Sequence, residues 1–392
     1  MVNLSVIWRD IAGNAWLVNP KPPFLPKGKH LMELPSLRIR GLTINPPIIQ
    51  GGMGVRVSGA RLASAVANEG CAGVIASVGL GDFVDLAGER ATEANREALR
   101  LEVRKAKSLS SGVIGANVMV ALTDYNELVR IAVHEGVDFI VSGAGLPLDL
   151  PDLVSDDRVA LIPIVSSARA LRIICSKWQR FGRLPDAVVV EGPRAGGHLG
   201  FKPAELEEDN QVSLEQLTLE TIEMANTYDS PIQVIAAGGI FDGADIARFL
   251  ELGAAGVQMA TRFVCTDECD VHENFKAAYI AANDGDMKII SSPVGMPARC
   301  VDNDFLKRIS LGETAPFHCR YQCLRTCDPA TAPYCIARVL SDAANGKMDN
   351  AFAFGGSNAP RCTEIVSVKT LIQQLVTEAC ACYSNAQSTG VA

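Results

Sequence analysis

Eight short apolar runs recur between residues 46 and 285, each separated from the next by a longer stretch that is mostly amphipathic. They fall at Pro47–Gln50, Gly73–Ser77, Val113–Val118, Phe139–Ser142, Ala160–Val165, Ala187–Glu191, Gln233–Ala237 and Gly256–Ala260. Runs this short and this apolar predict strands buried on both faces of a parallel sheet. Between them, helical periodicity is expected over Ala60–Glu69, Glu93–Ser108, Tyr125–Glu135, Ala168–Phe181, Leu214–Tyr228 and Gly243–Leu252. The fourth crossover, Leu148 to Asp156, has room for only a short helix. Eight βα units in this order predict a (β/α)₈ TIM barrel over residues 46–285. A doubly wound open sheet is the alternative, but it needs an edge strand, and no run is visibly more polar than the rest.

The barrel is expected to carry an N-terminal arm over residues 1–45, proline-rich around PKPPFLPKGK and packed on it. A cysteine-rich C-terminal extension follows over residues 286–392, where the βα rhythm stops. A formal charge of −8 argues against a nucleic-acid surface. The basic run at Arg100, Arg104, Lys105 and Lys107 reads as a solvated helix face. No signal-peptide pattern opens the chain and no apolar run is long enough to span a bilayer. A cytoplasmic protein without membrane contact, acting on a small molecule, is the expectation. A homo-oligomer is compatible with this sequence.

In a barrel, chemistry collects in the loops after the strands' C-terminal ends. The unusual residues fall there: Gly51-Gly52-Met53, Asn117, Gly143-Ala144-Gly145, Ser166-Ser167, His198, Gly238-Gly239 and Thr261-Arg262. The sixth run breaks into EGPRAGGHLGF, which delivers a lone imidazole, His198, just past a strand end. Such a histidine can take or give a proton beside a ligand, and the glycines before it allow close backbone approach. The turns Gly238-Gly239 and Ala260-Thr261 close the seventh and eighth units. Freed backbone N–H groups there, with a helix N-terminus nearby, suit a phosphate.

PIIQGGMG, EGPRAGGHLGF, AAGGI and GVQMATRF together resemble the nitronate monooxygenase (2-nitropropane dioxygenase) family. The flavin-dependent enoyl-acyl-carrier-protein reductases of the same superfamily are similar. The resemblance covers about residues 40 to 310 and implies an FMN-bearing barrel. It implies that Gly51, Gly52 and Met53 lie against the flavin, with Gln50 at the end of their strand. Asn117, in GANVM, matches the flavin-contacting asparagine. Gly238, Gly239, Ala260 and Thr261 match the phosphate-binding turns. Gly197 and His198 close the AGGH motif, and His198 matches the active-site histidine. One departure stands out: Pro193-Arg194 replace a small residue and a glutamate. Arg194 either attracts an anionic substrate or extends to solvent.

Three cysteines, Cys319, Cys323 and Cys327, recur at a spacing that would align them on one helix face, and Cys335 follows after a proline-bearing loop. Disulfides are unexpected in a reducing compartment. Four converging thiolates would suit a [4Fe–4S] cluster, with structural zinc or unligated thiols as alternatives and Cys362 as a substitute ligand. Cys71, Cys175 and Cys265 read as buried apolar fillers.

Two enzyme functions fit these features. A nitronate monooxygenase would oxidise alkyl nitronates with O₂, His198 handling the carbon-bound proton. An enoyl-thioester reductase would draw reducing equivalents from NAD(P)H. A third reading, from another class, is a non-catalytic flavin and iron–sulfur redox sensor, which has no need of His198 beside the flavin.

Overall fold

The structure is a computed structural model and describes residues 7–9, 15–17, 33–81, 87–230, 232–319 and 321–389. Two units are distinguished. In Met1–Met32, Ile7–Arg9 pairs antiparallel with Ala15–Leu17, and the rest of the expected arm up to residue 32 lies outside the described residues. Residues 33–392 form the second unit.

Eight parallel strands make a ring. They are β1 (Ile48–Gln50), β2 (Gly73–Ala76), β3 (Ile114–Met119), β4 (Phe139–Gly143), β5 (Ala160–Val165), β6 (Ala187–Glu191), β7 (Gln233–Ala237) and β8 (Gly256–Met259). Each pairs with its successor from β2 through β8, β6 aligning Glu191 with Ala237 of β7, and β8 returns to β1. The remaining seam closes where Gln50 N–H donates to Ala72 O at 2.9 Å and Ala72 N–H to Ile48 O at 3.0 Å. The open-sheet alternative is thereby removed.

Alternation along the strands separates two apolar layers. Ile49, Val74, Phe139, Val141, Ile162, Ala187, Val189 and Ile235 fill the barrel interior, joined by Leu37, Ile39 and Ile44 from the hairpin Leu37–Ile39/Leu42–Ile44. Val188, Val190, Val257 and their like face outward against the helices. The helices start where a side chain satisfies the first free N–H groups. Ser167 Oγ accepts from Ala170 N, Ser213 Oγ from Gln216 N, and Asp242 Oδ1 from Asp245 N. The fourth crossover holds only Leu150–Leu153, as its length predicts.

After β8 the chain forms the hairpin Met287–Ser291/Pro297–Val301 and helices Asp304–Ser310, Ile336–Ala344 and Val368–Thr389. The last of these lies against the helix Gly243–Glu251 so closely that a Cβ on Gly243 would meet Glu378 Cβ at 2.3 Å. Glu378 Oε2 accepts from Gly243 N at 3.0 Å.

The segment carrying Cys319, Cys323 and Cys327 is not helical, which corrects that expectation. Leu324 bridges antiparallel to Leu122, Thr123 N–H donates to Cys323 O and Arg325 N–H to Ala121 O. Downstream, Asp328 accepts from Ala330 N and Thr331 Oγ1, an Asx turn that breaks the chain again before Cys335 caps the helix Ile336–Ala344. In extended backbone, residues four apart do not share the one-turn stacking of a helix.

Candidate active site at the barrel mouth

Interior parity continues past the apolar plug and crowns the barrel with polar groups. Glu191 follows Ala187 and Val189 on the inward face of β6. Asn117 on β3 and Gln258 on β8 line the same cavity. Gln258 is buried and its Oε1 has no hydrogen-bond partner. An orphaned buried amide oxygen is costly, so it marks a place where a ligand donor fits.

Gly51, Gly52 and Met53 line the cavity beside Asn117. Gly51 N–H donates to Met259 O at 2.8 Å and Met53 N–H to Ser58 Oγ at 2.9 Å. A Cβ on Gly52 would stand 2.3 Å from Asn117 Cβ, so this approach requires glycine. Gly52→Ala is expected to displace Asn117 and cost about 1–3 kcal/mol by overpacking. Thermal unfolding and flavin content of the purified variant check this. Gln50 behaves differently from the expectation. Its Oε1 accepts from Val74 N at 3.0 Å and its Nε2 donates to Gly51 O. Fully buried, it stitches β1 to β2 and does not line the cavity.

Both turns expected to hold phosphate open onto this cavity through Gly238, Gly239, Ala260 and Thr261. Gly239 has φ +111° and its carbonyl accepts from Asn358 Nδ2 at 2.7 Å. Among the described residues the N–H groups of Gly239 and Ile240 have no acceptor, whereas Phe241 N–H is held by Asp245 Oδ2 at 2.9 Å. These two free amides lie ahead of the helix Gly243–Glu251, donors of the kind an anion needs. Arg262 and Arg361 stack on Phe241 at 4.7 and 4.2 Å, bringing positive charge close by. The aliphatic chain of Arg194 lies over Gly239, 3.1 Å from where a Cβ there would stand. That places Arg194 beside these amides, among the residues lining the cavity.

The loop carrying His198 is fixed from behind by the C-terminal segments. Arg299 is buried, and its Nη1 donates to Pro193 O and Ala195 O, both at 2.6 Å. Burial lowers that guanidinium to about 10, with Arg194 adding to the effect. Gly197 and His198 pair antiparallel with Arg299 and Ala298. His198 Nε2 lies 2.8 Å from Ser292 Oγ, and its ring meets Phe354 edge-on at 5.1 Å. Burial pushes the imidazole down to about 4, so it is neutral at physiological pH.

Sequence reasoning missed Glu191, Gln258, Phe354, Gly355, Gly356 and Asn358, all of which line the cavity. Gly356 N–H donates to Thr261 Oγ1 at 3.3 Å. Parity along β6 and β8 could have found the first two residues. Nothing local signals the others.

Among the described residues no three His, Cys, Asp or Glu side chains are grouped to hold a metal ion. Cys319 Sγ donates to Tyr321 O at 3.4 Å, while Cys323 and Cys335 pack with Tyr321 against Ala91 and Ala337. Burial first, then the neighbouring thiols of Cys335, Cys319 and Cys327, push Cys323 up to about 12. Cys362, the suggested substitute, is buried beside Cys265 and hydrogen-bonded to it. Cys71, Cys175 and Cys265 are buried, as expected.

A closed parallel barrel with free amides after β7 and a histidine at its mouth fits a flavin-dependent oxidoreductase, the class that the family match gives this chain. The nitronate monooxygenase family pattern matches residues 36–378, and the chain belongs to that family. It is 26% identical over 378 residues to a probable nitronate monooxygenase of Bacillus subtilis, covering 87% of this chain and 98% of that one. It is 29% identical over 272 residues to the (3aS,4S,5R,7aS)-5-hydroxy-7a-methyl-1-oxo-octahydro-1H-indene-4-carboxyl-CoA dehydrogenase of Mycobacterium tuberculosis, covering 69% of this chain and 67% of that enzyme. The match to the Rhodococcus jostii enzyme of the same name spans 65% of its length. Among solved structures, FabK from Thermotoga maritima superposes with a TM-score of 0.69 at 26% identity, covering 88% of this chain and 95% of FabK. Nitroalkane oxidase from Streptomyces ansochromogenes shares the fold, with a TM-score of 0.67 at 19% identity over 87% of this chain and 97% of its own. Among the described residues no helix is long and apolar enough to cross a membrane.

Proposed function

We propose that this chain is an FMN-dependent oxidoreductase of the cytoplasm that oxidises alkyl nitronates with O₂. The observation that carries the reading is His198, held by Ser292 and Phe354 at the mouth that the free Gly239 and Ile240 amides also border. Bound there, FMN would supply the electron-transfer chemistry that side chains lack. The amides would hold its phosphate, with Arg194 and Arg262 adding charge. The orphaned Gln258 oxygen and the Asn117 amide would hydrogen-bond the ring system. Where the substrate arrives as the neutral nitroalkane, His198 would accept its carbon-bound proton and leave the nitronate to be oxidised, since only the unprotonated imidazole has a free lone pair. Phe354 and the C-terminal wall would exclude water.

A second reading, reduction of an enoyl thioester by NAD(P)H, is favoured by one feature. The cavity lining includes the apolar side chains of Leu122, Leu128, Leu324, Ile336 and Leu340, which suit an acyl chain better than a small nitronate. The likeness to FabK and to a carboxyl-CoA dehydrogenase supports it too. An oxygen electrode with an alkyl nitronate and no nicotinamide should register consumption under the first reading. Anaerobic oxidation of NADH or NADPH dependent on an enoyl thioester, without nitronate turnover, would replace it by the second.

A further inference from the structure

The inward face of β6 ends in a carboxyl group that nothing nearby answers. Glu191 lines the cavity, and among the described residues its side chain has no hydrogen bond and no ion pair. Beside it, β7 offers Ala237 in register, and Ile164 of β5 pairs one step below, with Val189. Neither strand carries a charged residue. The helix Leu214–Ala225 packs outside β6 and bears Glu215, Glu220 and Glu223, of which Glu215 is bound to Arg248 at 2.7 Å. The other ionisable groups around the cavity are accounted for. Asp124 is bound in a bidentate pair by Arg96, Arg299 is committed to Pro193 O and Ala195 O, and Tyr279 donates to Phe354 O. Arg194 is exposed over Gly239, and Tyr321 and Cys323 lie on the C-terminal lobe wall.

We propose that Glu191 is a second catalytic residue of this cavity, a carboxylic acid that gives its proton to a bound substrate atom where negative charge develops. The O–H bond of the carboxyl breaks, a new bond to hydrogen forms on the substrate, and the negative charge passes to Glu191. Water entering at the mouth reprotonates it. This rests on the cavity being a redox site and adds a division of labour to it. Burial pushes Glu191 up to about 7 and His198 down to about 4, so near neutral pH the carboxyl can hold a proton while the imidazole is neutral. Two groups displaced in opposite senses are suited to be acid and base respectively. A half-buried carboxyl set against apolar strand neighbours with no partner disfavours its charged form, which favours keeping the proton on it.

The test is an infrared pH titration of the flavin-loaded protein without substrate, paired with steady-state rates for wild type, Glu191→Gln and Glu191→Asp. The protonated-carboxyl carbonyl band of the wild type should vanish as pH rises through about 7. It should be missing in Glu191→Gln and shifted, not lost, in Glu191→Asp. The wild-type rate should fall above the same pH because the proton donor is lost. Glu191→Gln should lose that limb and roughly 10²-fold in rate, with Glu191→Asp recovering part of it. A band that titrates only in the ordinary carboxylate range overturns the proposal. So does a Glu191→Gln enzyme with wild-type rate and pH profile. Absence of turnover by the wild type with either substrate class, the infrared band intact, would instead count against the redox reading of the cavity.

Discussion

Replacing His198 with alanine is expected to lower turnover by roughly 10²–10⁴-fold, the usual contribution of a general acid–base group. The bound-flavin spectrum should be nearly unchanged, because the Gly239 and Ile240 amides lie on another loop. Ser292 Oγ would lose its partner at 2.8 Å, and Phe354 the ring edge at 5.1 Å. Steady-state rates with an alkyl nitronate and with an enoyl thioester read the effect. Wild-type rates for His198→Ala with whichever substrate the native enzyme uses would remove the imidazole from the chemistry.

Gly239→Leu should empty the protein of flavin. Leucine is strained at φ +111°, and its Cβ would press on Arg194 at 3.1 Å. The turn must then rotate, taking the Gly239 and Ile240 amides off the phosphate. Hydrogen bonds to a charged group are worth about 1.5–3 kcal/mol each, so losing two weakens binding by roughly 10²–10⁴-fold. Flavin released on denaturation, measured per mole of protein, checks it. A variant that purifies with full flavin and wild-type melting would mean the phosphate sits elsewhere.

The barrel was legible because strands buried on both faces must be continuous apolar runs, and turns between them must expose polar residues. Ala160–Val165, Ala187–Glu191 and Gln233–Ala237 occur as expected from the sequence. Helix ends moved by a few residues where other geometry took over, as at Gln179–Phe181, a tighter turn that ends in left-handed Gly182. The loop residues carried over from the family line the cavity, except Gln50, because a glutamine at a strand end can serve either the cavity or the ladder. Glu191 was hidden by its ordinariness, an acid ending a strand. The cysteine segment misled for a different reason. Spacing alone assumes a helix, and the contacts of Ala121 and Thr123 with Cys323 and Arg325 draw the chain out instead.

The loop that presents His198 is held by Arg299, 106 residues after Pro193, and the amide of Gly243 by Glu378, 135 residues later. During synthesis at about 5–20 residues per second, the last barrel strand emerges about 2–8 s before Arg299 and about 6–24 s before Glu378. The histidine loop and the start of the helix behind β7 therefore stay unbraced until the C-terminal segments arrive. A ribosome stalled shortly after β8 would display a barrel-like chain with an unbraced histidine loop, and expression without enough flavin would accumulate finished but empty protein. Supplying riboflavin to an overexpressing culture should raise occupancy even when added after translation is blocked.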